Sequence, residues 1–155
     1  MPHTKPKHQV LLQQLSVAFT SIPFNQMLGL KLEHLEDKQV AMSFNMKNDL
    51  IGNFLQGILH GGVISSVLDM AGGMLIMASA INKHPEANLE ELANIVGKCS
   101  TIDLQVSFLR PGRGDRFIAK AWLLKSGNKI AFARMELQNQ DETLIATGSG
   151  TYAMG

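Results

Sequence analysis

Residues 60–82 form the most apolar stretch of the chain, and Asp69 is the only charged side chain within it. A carboxylate buried without a partner costs several kcal/mol or takes up a proton, so a chain that keeps an acid here is expected to use it. The stretch opens with His60-Gly61-Gly62, whose glycines let another molecule approach the backbone. A helix that begins there would aim free N–H groups at that molecule. An acid and a set of backbone donors are the minimum requirement for hydrolysing an acyl group.

Residues 63–81 are also long enough to span a bilayer. A membrane helix would have to accommodate Asp69, the pair Gly72-Gly73 and three serines, Ser65, Ser66 and Ser79. A central helix wrapped by a sheet explains the same composition without a membrane, and no membrane span is expected.

On such a helix, the positions three, four and seven residues from Asp69 share its face. Five of these six positions are small: Gly62, Ser65, Ser66, Gly72 and Gly73. One interpretation is a channel along which a substrate passes the acid, with Gly62, Ser65 and Ser66 in contact with it. The other is close packing against a symmetry-related helix, with Asp69 bonded to a neighbour's hydroxyl. Glycine costs a helix roughly 1 kcal/mol relative to alanine, which mildly favours the channel.

Composition narrows the class of protein. With 155 residues, 45% of them hydrophobic and 17% charged, the chain can form one globular domain with a sizeable core. Its net charge of +1 argues against nucleic-acid binding. The single cysteine, Cys99, excludes an internal disulfide and fits a reducing cytoplasm. The opening sequence MPHTKPKH has no apolar region behind it, so no secretory signal is expected.

Hydrophobic periodicity predicts an α+β fold. Residues 8–20 repeat apolar groups at helical spacing and Pro23 ends that helix, which predicts an N-terminal amphipathic helix within 1–22 and one domain over 23–155. Strands and helices do not alternate as in a parallel sheet, so a long central helix wrapped by a mainly antiparallel sheet is expected. A second subunit should help to bury that helix. The predicted strands are 28–36, 40–46, 101–109, 116–125, 129–138 and 143–154, with a loop at 48–59, the long helix at 60–82 and a short helix at 89–98.

His60 has three open roles: a general base, a ligand, or a residue that orients the loop through a hydrogen bond. Nine residues place it about half a turn from Asp69 on the helix, so a His–Asp dyad within one chain is not expected. No second His or Cys lies at metal-ligand spacing from His60, and neither a metal nor a cofactor is expected. The serines lack the Gly-x-Ser-x-Gly context of a serine hydrolase.

Three segments of the chain carry a family resemblance: the run Gly52-Asn53…Gln56…His60-Gly61-Gly62-Val63-Ile64…Leu68-Asp69, the run Thr101-Ile102-Asp103-Leu104, and the run Leu109-Arg110-Pro111-Gly112-Arg113-Gly114. Together they resemble the PaaI-like hotdog-fold acyl-CoA thioesterases. The resemblance extends from about Pro23 to the C-terminus.

The resemblance implies a homo-oligomer, a dimer or a dimer of dimers, with active sites at the subunit interface. The acid of one subunit acts on a thioester that the other subunit's loop and helix N-terminus polarise. Asp69 is then the general base or nucleophile, the Gly61 N–H an oxyanion donor, and the Thr101 hydroxyl a group that orients the attacking water. Many relatives carry an asparagine six residues before the histidine, where this chain has Phe54. Asn53 or Gln56 is left for that polarising role.

The substrate implied is a medium- to long-chain fatty acyl-CoA. Its phosphates would be held by basic residues at two turns: Arg110, Arg113 and Arg116 at one, and Lys125 and Lys129 at the other. Methionines and a phenylalanine are candidates for an acyl slot: Met42, Phe44, Met46, Met70, Met74 and Met77. The alternatives are a non-catalytic acyl-CoA sensor or carrier, an aryl-CoA thioesterase acting on substrates such as phenylacetyl-CoA, and an enoyl-thioester hydratase.

Overall fold

The long helix of the protein lies across one antiparallel sheet. The computed structural model describes residues 7–154. Its helices are α1 (Lys7–Thr20), α2 (Pro23–Leu28), α3 (Gly61–Asn82) and α4 (Leu89–Gly97), with a 3₁₀ turn at Asn48–Leu50. Its strands are β1 (Lys31–Leu35), β2 (Gln39–Asn45), β3 (Ile51–Asn53), β4 (Ile58–Leu59), β5 (Cys99–Phe108), β6 (Arg116–Ser126), β7 (Ile130–Asn139) and β8 (Leu144–Met154).

Six strands form the main sheet in the order β1-β2-β6-β7-β8-β5, and every neighbouring pair is antiparallel. Strand β5 therefore lies at one edge of the sheet and β1 at the other. This is the predicted α+β arrangement of a central helix on a mainly antiparallel sheet, and the prediction is confirmed.

Helix α3 supplies the centre of the core. Val67, Leu68, Ala71 and Leu75 are fully buried on its sheet-facing side, and the alternating side chains of β2 pack into the same cluster. The helix is long and apolar enough to cross a membrane, but 67% of its most apolar window is buried inside the fold. Burial in a core accounts for its hydropathy, as the sequence predicted.

The N-terminal helix packs onto this core. Phe19 of α1 is buried in the main cluster, and Asn25 of α2 donates from Nδ2 to the Phe19 carbonyl oxygen at 2.9 Å, which ties the end of α1 to α2. The division between 1–22 and 23–155 stays a prediction. The expectation for the opening sequence falls largely on residues 1–6, outside the described residues.

Two local predictions were wrong. The strand expected from residue 28 begins at Lys31, because Pro23 starts a further short helix at a position where proline is favoured. The segment 48–59, expected to be a loop, contains the small β3–β4 hairpin. These short elements lack the periodic pattern that reveals longer ones.

Candidate active site

Two hydroxyl groups hold the Asp69 carboxylate. Thr101 Oγ1 on β5 donates to Asp69 Oδ1 at 2.9 Å, and the Tyr152 hydroxyl on β8 donates to the same oxygen at 3.3 Å. Among residues 7–154, no hydrogen bond engages Asp69 Oδ2. The half-buried acid therefore has one fixed oxygen and one that is available for chemistry. One of the two interpretations of the small-residue face bonded Asp69 to a neighbour's hydroxyl, whereas both of these hydroxyl groups belong to the same chain.

Tyr152 was missed by the sequence analysis. Burial, with a further contribution from the Asp69 carboxylate, raises the pKa of Tyr152, so its hydroxyl stays protonated and acts as a donor. The β5–β8 register places Tyr152 opposite Thr101. The only signals in the sequence are that Tyr152 is the sole tyrosine and that it follows Gly148 and Gly150 at alternate positions.

Two glycines make room for this tyrosine. A Cβ on Gly72 would lie 2.1 Å from the Tyr152 hydroxyl oxygen, and one on Gly150 would lie 2.7 Å from it. Gly72 thus faces Tyr152 rather than a channel. A Cβ on Gly73, by contrast, would meet nothing within 4 Å. Of the small residues on the Asp69 face, Gly72 therefore packs against another side chain, whereas Gly73 borders open space.

An apolar cavity begins at the carboxylate. It has a volume of about 200 Å³, and Asp69, Thr101 and Tyr152 form its polar part. The rest of its lining is apolar or small and comes from α1, the turn after it, α3 and β5: Phe19, Ile22, Met70, Gly73, Ile76, Met77, Cys99 and Ser100.

The structure divides the candidate residues for the acyl slot. Met70 and Met77 line the cavity, whereas Met42, Phe44 and Met74 are buried in the core instead. Met46 is half-buried and packs against that core. Burial raises the pKa of the Cys99 thiol, which disfavours the nucleophilic thiolate.

His60 caps helix α3. Its Nδ1 accepts a hydrogen bond from the Gly62 N–H at 2.8 Å, and its carbonyl oxygen accepts from the N–H groups of Val63 and Ile64. Among the described residues, the Gly61 N–H is left as the first free donor of the helix. The contacts of His60 are those of the loop-orienting role.

The β3–β4 hairpin packs against this helix start. Arg113 donates from Nη2 to Gln56 Oε1 at 2.9 Å and from Nη1 to the Gln56 carbonyl oxygen at 3.1 Å. Asn53 Oδ1 accepts from the Leu55 N–H at 3.1 Å. A Cβ on Gly52 would lie 2.4 Å from His60 Cα, so hairpin and helix are in close contact.

The candidate residues therefore fall into two groups within one chain. Gly61 and Asp69 are eight residues apart on α3, which separates them by about 12 Å along the helix axis. His60, Gly61, Asn53 and Gln56 form the first group, and Asp69 and Thr101 lie in the second, at the cavity.

The remaining candidates are more dispersed. The Ser66 hydroxyl donates to the Gly62 carbonyl oxygen at 2.7 Å within its own helix, and Ser65 is half-buried on α3. Arg110 donates to the Leu144 carbonyl oxygen at 2.9 Å, and Arg116 pairs with Glu33. The last two basic candidates, Lys125 and Lys129, are exposed around the β6–β7 turn. No group of three or more potential metal-ligating side chains occurs in the part of the chain that the structure describes.

Known proteins share this arrangement of a long helix on an antiparallel sheet. The thioesterase superfamily model matches residues 56–146. The chain belongs to the thioesterase superfamily and has its hotdog fold, which confirms the predicted family and fold class.

Individual relatives are similar over most of their length. The medium/long-chain acyl-CoA thioesterase YigI of Salmonella typhimurium is 46% identical over 134 residues, which cover 86% of each chain. A crystal structure of a Shewanella oneidensis protein related to the thioesterase superfamily superimposes with a TM-score of 0.92 at 38% identity, covering 98% of this chain and 100% of that one. The Escherichia coli PaaI protein shares the fold, with a TM-score of 0.76 at 19% identity over 97% and 96% of the two chains.

Proposed function

We propose that this protein hydrolyses medium- to long-chain fatty acyl-CoA to free fatty acid and CoA, in the cytoplasm. The observation that carries the proposal is the Asp69 carboxylate on the central helix, held by two hydroxyl groups in the lining of an apolar cavity. Membership of the thioesterase superfamily and the similarity to a medium/long-chain acyl-CoA thioesterase support this substrate class.

Asp69 supplies the reacting oxygen. Because Thr101 and Tyr152 both bond to Oδ1, Oδ2 is the oxygen that accepts a proton from the attacking water. Direct attack of Oδ2 on the carbonyl carbon is the second chemistry that the same geometry serves. The Thr101 hydroxyl can donate to the carboxylate and still accept a hydrogen bond from that water, which orients it.

The oxyanion donor comes from a second copy of the chain. Gly61 lies about 12 Å from Asp69 along the helix, too far for both groups to contact one thioester carbonyl. We therefore propose a homodimer in which the Gly61 N–H of one subunit faces Asp69 of the other. The neighbouring Asn53 and Gln56 would assist in polarising the carbonyl, since an oxygen of each side chain already accepts a hydrogen bond and its amide N–H groups remain donors.

The CoA moiety would bind at the basic turns. Lys125 and Lys129 form no ion pair within residues 7–154 and are exposed, so they are available to phosphate oxygens. Arg110 and Arg113 each donate hydrogen bonds to backbone carbonyl oxygens. Their remaining N–H groups can bond to an anion. Gly62, Ser65 and Ser66 would border the path of the substrate along α3.

Release of free thiol from a panel of acyl-CoAs, acetyl to palmitoyl with phenylacetyl and benzoyl, tests this function. We expect Asp69→Asn to lower hydrolysis by at least ~10²-fold while the melting temperature stays close to that of the wild type. Asp37→Asn is the matched control. It changes an acid that bonds to Asn82 at the far end of α3, about 20 Å from Asp69 along the helix.

The outcomes separate the competing functions. An Asp69→Asn protein that folds and keeps most of its activity would refute the role of the acid. Binding of acyl-CoA without turnover in the wild type would indicate the sensor or carrier, and a preference for phenylacetyl- or benzoyl-CoA would indicate an aryl-CoA thioesterase.

A further inference from the structure

An apolar groove lies between α1, the end of α3 and α4. Its volume is about 380 Å³, and no side chain in its lining is charged. Its walls come from all three helices, and Leu11, Leu15, Ala18, Ile81, Leu92 and Val96 contribute the larger part of them. The mechanism at Asp69 does not use this groove.

The groove and the cavity at Asp69 lie next to each other on the same two helices. Ala18 lines the groove and the next residue, Phe19, lines the cavity. Met77 lines the cavity and Ile81, one helical turn further along α3, lines the groove. The two spaces are therefore neighbours along α1 and α3.

Leu15 and Ile95 pack against both apolar clusters of the protein, the main core cluster and the smaller cluster of Leu11, Ile81, Ala87 and Leu92. Leu15 also lines the groove.

The part of the cavity that one chain forms is small for a long acyl chain. Its volume of about 200 Å³ is below the range of about 300–1,000 Å³ that is typical of small-molecule sites. A long chain whose thioester is held at Asp69 and which follows the cavity along α3 extends past Met77. The adjoining groove offers its distal carbons an apolar surface, and burial of each further methylene group there favours binding.

We propose that this groove is the binding site for the distal end of a long acyl chain, with α1 and α4 as the walls that set the longest chain accepted. The inference rests on the proposed thioesterase function for the position of the thioester. It predicts that short acyl chains use the cavity alone and that long chains need the groove as well.

Ala93→Trp tests the proposal, because Ala93 lines the groove from an exposed position on α4 and an indole there would fill it. We expect kcat/KM for palmitoyl-CoA to fall at least tenfold, while kcat/KM for hexanoyl-CoA stays within about twofold, since only the long chain loses apolar contacts. Asn94→Trp is the matched control, an exposed neighbour on the same helix that does not line the groove. It should leave both substrates unaffected.

Palmitate binding, measured by calorimetry on the same three proteins, keeps this inference separate from the hydrolytic function. Weaker palmitate binding in Ala93→Trp alone supports the groove even if the wild type hydrolyses nothing, which would refute only the proposed thioesterase function. Unchanged palmitoyl-CoA turnover and palmitate binding in Ala93→Trp would overturn the inference. An equal loss for hexanoyl- and palmitoyl-CoA would overturn it as well.

Discussion

At the scale of single residues, Tyr152 determines which way the Asp69 carboxylate faces. Its hydroxyl and that of Thr101 both reach Oδ1, so the carboxylate cannot rotate freely and Oδ2 remains directed away from these donors. Gly72 and Gly150 leave the space that this tyrosine occupies, because a Cβ at either position would collide with it. Glycine in a helix, as at position 72, lowers stability relative to alanine. We infer that the chain keeps this glycine because it lets the Tyr152 hydroxyl reach Asp69.

We expect Tyr152→Phe to lower kcat and kcat/KM about tenfold each, because a donor to the reacting carboxylate is lost, and a tenfold loss corresponds to about 1.4 kcal/mol. The melting temperature should change little, since the ring and its packing remain. Thr101→Val removes the other donor and should lose rate in the same way, whereas Thr101→Ser should recover most of it. A full rate in Tyr152→Phe would exclude tyrosine from the positioning of Asp69.

The sequence identified Asp69 and Thr101 but not Tyr152, for a physical reason. Asp69 is conspicuous because a charge in an apolar helix needs an explanation, and Thr101 came from the family resemblance. The bond from Tyr152 spans 83 residues of chain. It depends on the register of β5 against β8, which local propensity does not specify.

At the scale of elements, one carboxylate at the sheet edge joins three strands. Glu33 on β1 accepts a hydrogen bond from Ser43 on β2 and pairs with Arg116 on β6 at 2.8 Å. These bonds, first that from Ser43 and then that from Arg116, lower the pKa of Glu33. Because the folded pKa lies below the unfolded value, the stabilisation is present at neutral pH and is lost as the pH falls through the folded pKa.

Glu33→Gln should therefore lower the free energy of unfolding at pH 7, by less than about 1 kcal/mol because the pair is exposed to solvent. At a pH low enough for the wild-type carboxylate to take up its proton, the difference should shrink. Urea unfolding of both proteins at the two pH values measures this. Glu86→Gln, at an exposed acid outside the strands, is the control. An equal difference at both pH values would show that charge on Glu33 contributes nothing.

The long elements were predictable and the short ones were not. Strand β2 alternates in hydrophobicity, and helix α3 is a long apolar segment. Both patterns can be recognised in the sequence. Helix α2 and the hairpin β3–β4 have six residues or fewer in each element. Their conformation depends on contacts with distant parts of the chain, such as that between Asn25 and Phe19.

At the scale of the whole molecule, a single chain leaves apolar side chains exposed at a sheet edge. Ile102 and Phe108 of the edge strand β5 are 53% and 56% exposed, and Phe54 on the β3–β4 hairpin is 87% exposed. The two halves of the proposed catalytic site, Asp69 and Gly61, also lie about 12 Å apart on α3. A twofold-symmetric dimer that pairs Asp69 of each subunit with Gly61 of the other would resolve both features.

Gly61→Pro isolates the oxyanion donor for a test of this dimer. Proline is favoured at the first position of a helix and replaces the N–H there with a ring carbon, so the donor is lost. His60 has φ −63° and ψ 134°, the conformation that a residue before proline prefers, so the substitution should be accommodated. The loss of one oxyanion donor should reduce kcat by about 10²–10³-fold.

Heterodimers of the Asp69→Asn and Gly61→Pro subunits, each carrying a different purification tag, then decide where the site is. Each homodimer should be almost inactive. In the heterodimer, the intact acid of one subunit meets the intact donor of the other, so one of two symmetric sites works and about half of the wild-type activity returns. A heterodimer of Asp69→Asn with the double variant Asp69→Asn, Gly61→Pro has no intact acid and must stay inactive. If the first heterodimer is as inactive as its parents, Asp69 and Gly61 do not act together across a subunit interface.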